Sequence, residues 1–147
     1  MSCLAKWSGA HSCPAAGTIF LSYSDFHHLK REIMLANQFQ ECIDACMACA
    51  VACSNCAIAC LEEENVGELR QCIRLDLECA AVCRAAAEVM SMQGTSSAHL
   101  CRVCADICSA CADECSKHAE MGMDHCRECA EACRKCAEAC ESMATAV

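Results

Sequence analysis

Inward positions in this chain recur at alternating steps of three and four residues, and the residue that fills them is cysteine. Cys42, Cys46, Cys49, Cys53, Cys56 and Cys60 are spaced 4, 3, 4, 3 and 4 apart. A mean step of 3.5 keeps side chains on one stripe of an α-helix and turns that stripe towards partner helices. The rhythm returns at Cys101, Cys104, Cys108, Cys111 and Cys115, and again at Cys126, Cys129, Cys133, Cys136 and Cys140. A sparser stripe, Cys72, Cys79 and Cys83, has steps of 7 and 4. Four helices are therefore predicted to point sulfur inward.

Breakers divide the pattern into elements. Phe26, Leu29, Ile33 and Phe39 open a helical pattern at Ser24 or Asp25 that runs unbroken into the first cysteine stripe. It should end near Glu62-Glu63-Glu64-Asn65, before Gly67. The second helix is expected over residues 66–92; Gly94 and Thr95-Ser96-Ser97 then supply a break and a capping residue for a third over 98–119. Gly122 breaks the chain once more, and Asp124 is a suitable N-cap for a fourth helix reaching about residue 144. Connections this short force antiparallel neighbours. The fold class expected is all-α, an up-down-up-down four-helix bundle with a cysteine-lined core, over residues 25–147. Residues 1–24 show no periodicity, hold the only Pro and Trp, and are expected to form a flexible N-terminal tail. Cys3 and Cys13 fall in that tail and outside the expected ligand set. Met34 is a candidate initiation site, and residues 1–33 are expected to be dispensable.

Composition supports this reading. At 147 residues the chain has the size of one ordinary domain. Leu, Ile, Val and Phe number only 24, against 21 Cys and 27 Ala. So few large apolar residues would elsewhere suggest disorder. Here alanine gives helix propensity, and a protonated cysteine packs as a small hydrophobe. The chain is therefore expected to be helical before any metal binds.

Net charge is −9 and aromatic content 3%, which excludes a basic stripe or a stacking platform for nucleic acid. No uninterrupted apolar run approaches the roughly 18 residues of a membrane span, so no membrane partner is expected. A twin-arginine pair is absent and Thr18-Ile19-Phe20-Leu21 is too short for a signal-peptide core, so a cytoplasmic location is expected. Thiols stay reduced in that compartment, which favours metal over a disulfide framework.

Along a helix, cysteines at i and i+3 or i+4 present sulfur in pairs, which suits an ion content with two soft ligands. Cu(I) is such an ion, whereas zinc wants a closed shell of four. If each thiolate bridges two ions, capacity approaches one Cu(I) per core cysteine, on the order of nineteen. Monovalent ions in that number also balance the thiolate charge, which divalent zinc would not do unless many thiols stayed protonated. Antiparallel packing gathers Cys60, Cys72, Cys115 and Cys126 at one end with His118, Met121, Met123 and His125. The other end collects Cys42, Met90, Cys101, Cys140 and Met143. His118, three residues beyond Cys115, continues the third stripe and reads as a ligand or as a helix cap. Met121 and Met123 are thioether donors suited to weak capture of Cu(I), or exposed loop residues.

The run Glu68-Leu69-Arg70-Gln71-Cys72-Ile73-Arg74-Leu75-Asp76-Leu77-Glu78-Cys79-Ala80-Ala81-Val82-Cys83 resembles the cytosolic bacterial copper storage proteins. So do Cys111-Ala112-Asp113-Glu114-Cys115-Ser116-Lys117-His118 and His125-Cys126-Arg127-Glu128-Cys129, and the likeness covers about residues 38–142. The resemblance implies a homotetramer of four-helix bundles whose inward cysteines hold many Cu(I) ions, with His and Met residues near the open end where ions enter. By that resemblance the metal-binding role passes to all nineteen core cysteines. His118 matches the histidine after the third stripe, and Met121, Met123 and His125 lie in the matching connection. The expected function is cytosolic storage and buffering of Cu(I), exchanged with copper chaperones or an efflux system, and no enzyme activity.

Other chemistries fit less well. Cys42-x3-Cys46-x2-Cys49 matches the iron–sulfur triad of radical enzymes, but the pattern recurs at Cys49-Cys53-Cys56, Cys104-Cys108-Cys111 and Cys129-Cys133-Cys136 as a by-product of the heptad. Ferredoxin cysteines sit on loops, often before a proline, and the one proline here is Pro14. A zinc or mixed-metal thiolate buffer is the main alternative. A purely structural role for the thiols would be filled by Leu and Ala without oxidation risk. A cuprous oxidase or thiol redox relay would need an open coordination position or an exposed low-pKa cysteine pair, and no such constellation stands out. Asp76, four residues after Cys72, should face inward, to meet either an arginine or metal. Ile43, Ile58, Ile73, Val103 and Ile107 are expected to form a bundle-to-bundle surface or to fill helix seams.

Overall fold

The computed structural model describes residues 23–146. Four helices account for it: α1 (Tyr23–Glu62), α2 (Arg70–Ser91), α3 (Ser97–Ala119) and α4 (Asp124–Ala146), with no strand among the described residues. α1 packs on α2 and α4, and α3 packs on the same two, so the helices stand at the corners of a square in up-down-up-down order. All nineteen core cysteines are buried at the centre of that square. At the seams between helices sit alanines: Ala50 and Ala57 on α1, Ala80 and Ala87 on α2, Ala105 and Ala112 on α3, Ala130 and Ala137 on α4, while Ala86 takes the inward position between Cys83 and Met90.

The connections differ in detail from expectation. α2 starts at Arg70 rather than near 66, because residues 63–69 coil into successive turns closed by Glu68 N–H to Asn65 O (2.9 Å) and Leu69 N–H to Val66 O (3.2 Å). The turns lay Leu69 flat over the end of the core, 1% exposed. At the end of α2, Gln93 adopts φ 52°, with Gln93 N–H bonded to Met90 O and Gly94 N–H to Val89 O. That is a Schellman termination with glutamine in the left-handed position. Gly94 is required for proximity, since a Cβ there would lie 2.8 Å from Val89 Cγ1. The serine that fastens the next turn is Ser97, whose hydroxyl donates to Gly94 O at 2.6 Å, and Ser96 makes no side-chain cap. Gly122, at φ 97°, supplies the left-handed residue between α3 and α4.

Helix α1 has 40 residues against 22 or 23 in the others, so at about 1.5 Å per residue its N-terminal part overhangs the bundle. Phe26, Leu29 and Ile33 are helical as expected but about half exposed, because no other helix extends alongside them. Phe39, level with the end of the bundle, packs against the core. By length and composition α1 is apolar enough to cross a membrane, contrary to the reading of its sequence as lacking such a stretch. Cysteine and alanine count as apolar there, and the cysteine stripe is spent on the other three helices. Of the expected tail, residues 1–22, with Cys3 and Cys13, lie outside the described residues, and Tyr23 and Ser24 are already helical.

Candidate metal centre

The heptad spacing delivers a sulfur to the bundle axis at nearly every turn of α1, α3 and α4, and more sparsely from α2, and the sulfurs meet in a column made of two groups joined by the carboxylate of Asp76. Cys42 and Cys46 each lie 3.6 Å from Cys140, and Cys136 lies 3.6 Å from Cys46. Midway along, Cys83 is 3.6 Å from both Cys104 and Cys108, and Cys79 is 3.6 Å from Cys108. Cys53 is 3.5 Å from Cys133 and 3.6 Å from Cys129. Contacts also cross the diagonals, Cys49 to Cys108 at 3.9 Å and Cys79 to Cys133 at 4.0 Å. At the far end Cys72 lies 3.6 Å from Cys115, and Cys60 lies 4.0 Å from Cys72 and from Cys126. None of the nineteen is in a disulfide.

These separations exceed an S–S bond of about 2.05 Å and fall inside the roughly 4.6 Å that two metal–sulfur bonds span end to end. An ion therefore fits between neighbours with small side-chain shifts. The sulfurs also form groups of four with ligand atoms within 4.8 Å of one another, such as Cys49, Cys83, Cys108 and Cys136, or Cys53, Cys111, Cys129 and Cys133. Successive groups share members: Cys49, Cys53, Cys133 and Cys136 each belong to two. Isolated structural sites would each need four ligands of their own, whereas thiolates that each bridge two Cu(I) ions make use of this sharing.

Before metal enters, the column shares its protons unequally. Hydrogen bonds from Cys108 and Cys111 hold the Cys79 thiol below its ordinary range, and those to Cys104 and Cys108 push Cys136 up. Burial, joined by the charge of Cys126, raises Cys60 to about 12. Metal binding must displace such protons.

One carboxylate stands inside the column. Asp76 is fully buried; its Oδ1 accepts from the thiols of Cys111 (3.2 Å), Cys129 (3.3 Å) and Cys115 (3.5 Å), and Oδ2 from Cys72 at 3.8 Å. Its inward direction is as expected, but its partners are thiols and not an arginine. Burial, followed by the charge of Cys115, pushes the carboxyl up from 3.8 to about 7.

The imidazoles and thioethers at the α3–α4 end part company. His125 Nε2 lies 3.6 Å from Cys60 Sγ, and His125 joins Cys56, Cys60 and Cys126 in a group of potential ligands. His118 is buried, 6% exposed, and neither ring nitrogen has a hydrogen-bond partner; Glu114 Oε1, 3.5 Å from Nε2, is the nearest charge. Met123 is half-buried against the core, while Met121 is 62% exposed and is not brought to the thiols. At the opposite end Met90 and Met143 are buried, with Met90 Sδ 3.5 Å from Cys101 Sγ. Both continue the heptad stripes beyond the last cysteine of their helix, Met143 after Cys140 and Met90 after Cys83 and Ala86, a signal the spacing already contained. Ile43, Ile73 and Ile107 are half-buried against the core and fill seams, leaving Ile58 and Val103 exposed.

A family model described as copper storage protein matches residues 35–145. The chain belongs to the copper storage protein family. Among solved members of that family, the Cu(I)-bound copper storage protein BsCsp3 is 46% identical with TM-score 0.69, over 74% of this chain and 99% of that one. A cytosolic copper storage protein from Streptomyces lividans, with five coppers, is 43% identical with TM-score 0.71, over 80% of this chain and 96% of that one. The cysteine-rich protein YhjQ of Bacillus subtilis is 48% identical over 70 residues, 47% of this chain; the match spans 65% of that relative's length. The α1 overhang up to Met34 precedes the matched region.

Proposed function

We propose that this chain stores and buffers Cu(I) in the cytosol, holding many ions on the thiolates of its bundle core and running no catalytic cycle. The observation that carries the reading is the ligand-sharing array of buried free thiols, neighbours 3.5–4.0 Å apart, running from Cys42 to Cys60 in two groups that the Asp76 carboxylate joins. Cu(I)-bound and copper-loaded relatives of the same fold support it. Ions enter at the His125 end, where a partly exposed imidazole touches the last thiols, and pass inward by exchange between neighbouring sulfurs, one proton leaving for each thiol that becomes a thiolate. His118, with both nitrogens unpartnered, and Met123 stand beside this entrance. Copper chaperones or an efflux system would exchange ions here, and the exposed Met47, Val51, Ile58 and Leu61 on the outward face of α1 suit the subunit contacts of a homotetramer.

Anaerobic titration of the reduced protein with Cu(I) against a chromophoric chelator, with zinc in parallel, tests the storage reading. Saturation is expected on the order of nineteen ions per chain, unaffected by zinc. Saturation at a few ions, or tight zinc at about one per four cysteines, would transfer the assignment to a zinc buffer. For the entrance, stopped-flow loading of His125→Ala at substoichiometric Cu(I) should be at least several-fold slower than the parent, with final capacity nearly unchanged. Equal rates would place the entrance elsewhere.

A further inference from the structure

At the end remote from the histidines the sulfur column does not stop at its last cysteines. Cys42 lies 3.6 Å from Cys140 there, and Cys101 occupies the same layer on α3. Met143 lies three residues after Cys140, one step further along the inward stripe of α4, and Met90 lies seven after Cys83, a full heptad further along that of α2 with Ala86 between. Both are 1% exposed. The Met90 sulfur itself turns inward, 3.5 Å from Cys101 Sγ, within the same range as the thiol–thiol contacts. Met143 lines, with Gln38, Glu41, Cys42, Ala139 and Ser142, a cavity of about 140 Å3 beside Cys42.

From this geometry we infer that Met90 and Met143 are Cu(I) ligands, forming with Cys42, Cys101 and Cys140 a mixed thioether–thiolate site that closes the remote end of the store. The inference rests on the Cu(I) reading of the column. Inside the column a thiolate has neighbours on both sides and bridges two ions. The last layer has neighbours on one side alone, so ions held there lack a donor. A thioether supplies a soft donor without a charge, so it completes the shell and leaves the balance of thiolates and monovalent ions undisturbed. No electron changes hands: each thiol that binds loses one proton, and the thioethers lose none. The other end is arranged on the same principle, with the imidazole of His125 beside Cys60 and Cys126. The bland reading, methionine as a flexible gap-filler, accounts for the burial but not for the choice of sulfur where Leu69 serves as an apolar lid at the opposite end.

Selenium marks the difference. Selenomethionine-labelled protein is loaded with Cu(I) to saturation, total copper is measured, and X-ray absorption is recorded at the selenium edge. In the M121L/M123L variant, which keeps Met90 and Met143, a selenium–copper shell is expected; in M90L/M121L/M123L/M143L it should vanish. Leu for Met is near in volume, and a circular dichroism spectrum equal to the parent's establishes that both variants fold. A fully loaded M121L/M123L protein with no selenium–copper shell would overturn the site and leave storage standing. So would a shell that survives the fourfold substitution. Failure to take up copper at all would remove both.

Discussion

Replacing Cys104, Cys108 and Cys111 by Ser is expected to lower Cu(I) capacity by at least about three ions per chain, from on the order of nineteen to sixteen or fewer. These positions interrupt the column where it is densest. Cys108 lies within 3.6 Å of Cys79 and Cys83 and within 3.9 Å of Cys49 and Cys104, so its loss removes a bridge from several neighbours at once. A hydroxyl occupies nearly the same space but is a hard, neutral donor that Cu(I) does not prefer over thiolate. Burying it among thiols costs about 1–3 kcal/mol where hydrogen bonding is poor, so the apo-variant should be less stable yet folded, which urea unfolding and circular dichroism will show. Anaerobic titration reads the capacity. An unchanged stoichiometry in a folded variant would mean that ions are not bound by these sulfurs.

The second large effect concerns stability against pH. Asp76 has its carboxyl raised from 3.8 to about 7, so the folded state prefers it protonated. Below about pH 4 both folded and unfolded chains carry the proton, and the fold has its full stability. As pH rises towards 7 the unfolded chain ionises while the folded one holds its proton, and stability falls. The decline levels off above pH 7, after a loss of at most about 4 kcal/mol at 1.36 kcal/mol per unit. Urea unfolding of the reduced apo-protein between pH 5 and 7.5 should show this slope, and Asp76→Asn should flatten it and be the more stable protein at pH 7.5. A parent with no slope in that window would show that the carboxylate is ionised at little cost inside the thiol column.

The heptad of cysteines made the bundle and its core legible in the sequence, because a 3.5-residue period leaves few alternatives for where nineteen small apolar side chains go. The two ends could be composed from connection lengths alone: Cys60 with Cys72 and Cys126, and Met90 with Cys101, are in contact as antiparallel packing requires. Partners across the bundle were less legible. Asp76 reads as inward from its spacing, yet nothing in its neighbours along the chain reveals that Cys111, Cys115 and Cys129 surround it. Antiparallel packing places His125 at the end that holds Cys60, but its distance from that thiol depends on helix α4 beginning at Asp124, which turns the imidazole onto Cys60. Met121 sits exposed in the connection beside Gly122, whose positive φ is not revealed by residue spacing along the chain. The turn chemistry at Leu69 and Ser97 depends on backbone hydrogen bonds that residue preferences only outline.

The alanines at the seams have a role that their chemistry hides. Helix axes approach as closely as the side chains between them allow, and a methyl group allows nearly the closest approach. The bore of this tube is therefore set by Ala50, Ala57, Ala80, Ala105, Ala112, Ala130 and Ala137, none of which offers a donor atom. A wider seam would part sulfurs now 3.5–4.0 Å apart and turn bridges into isolated thiols. How many ions the protein holds is thus written partly in residues that never touch one.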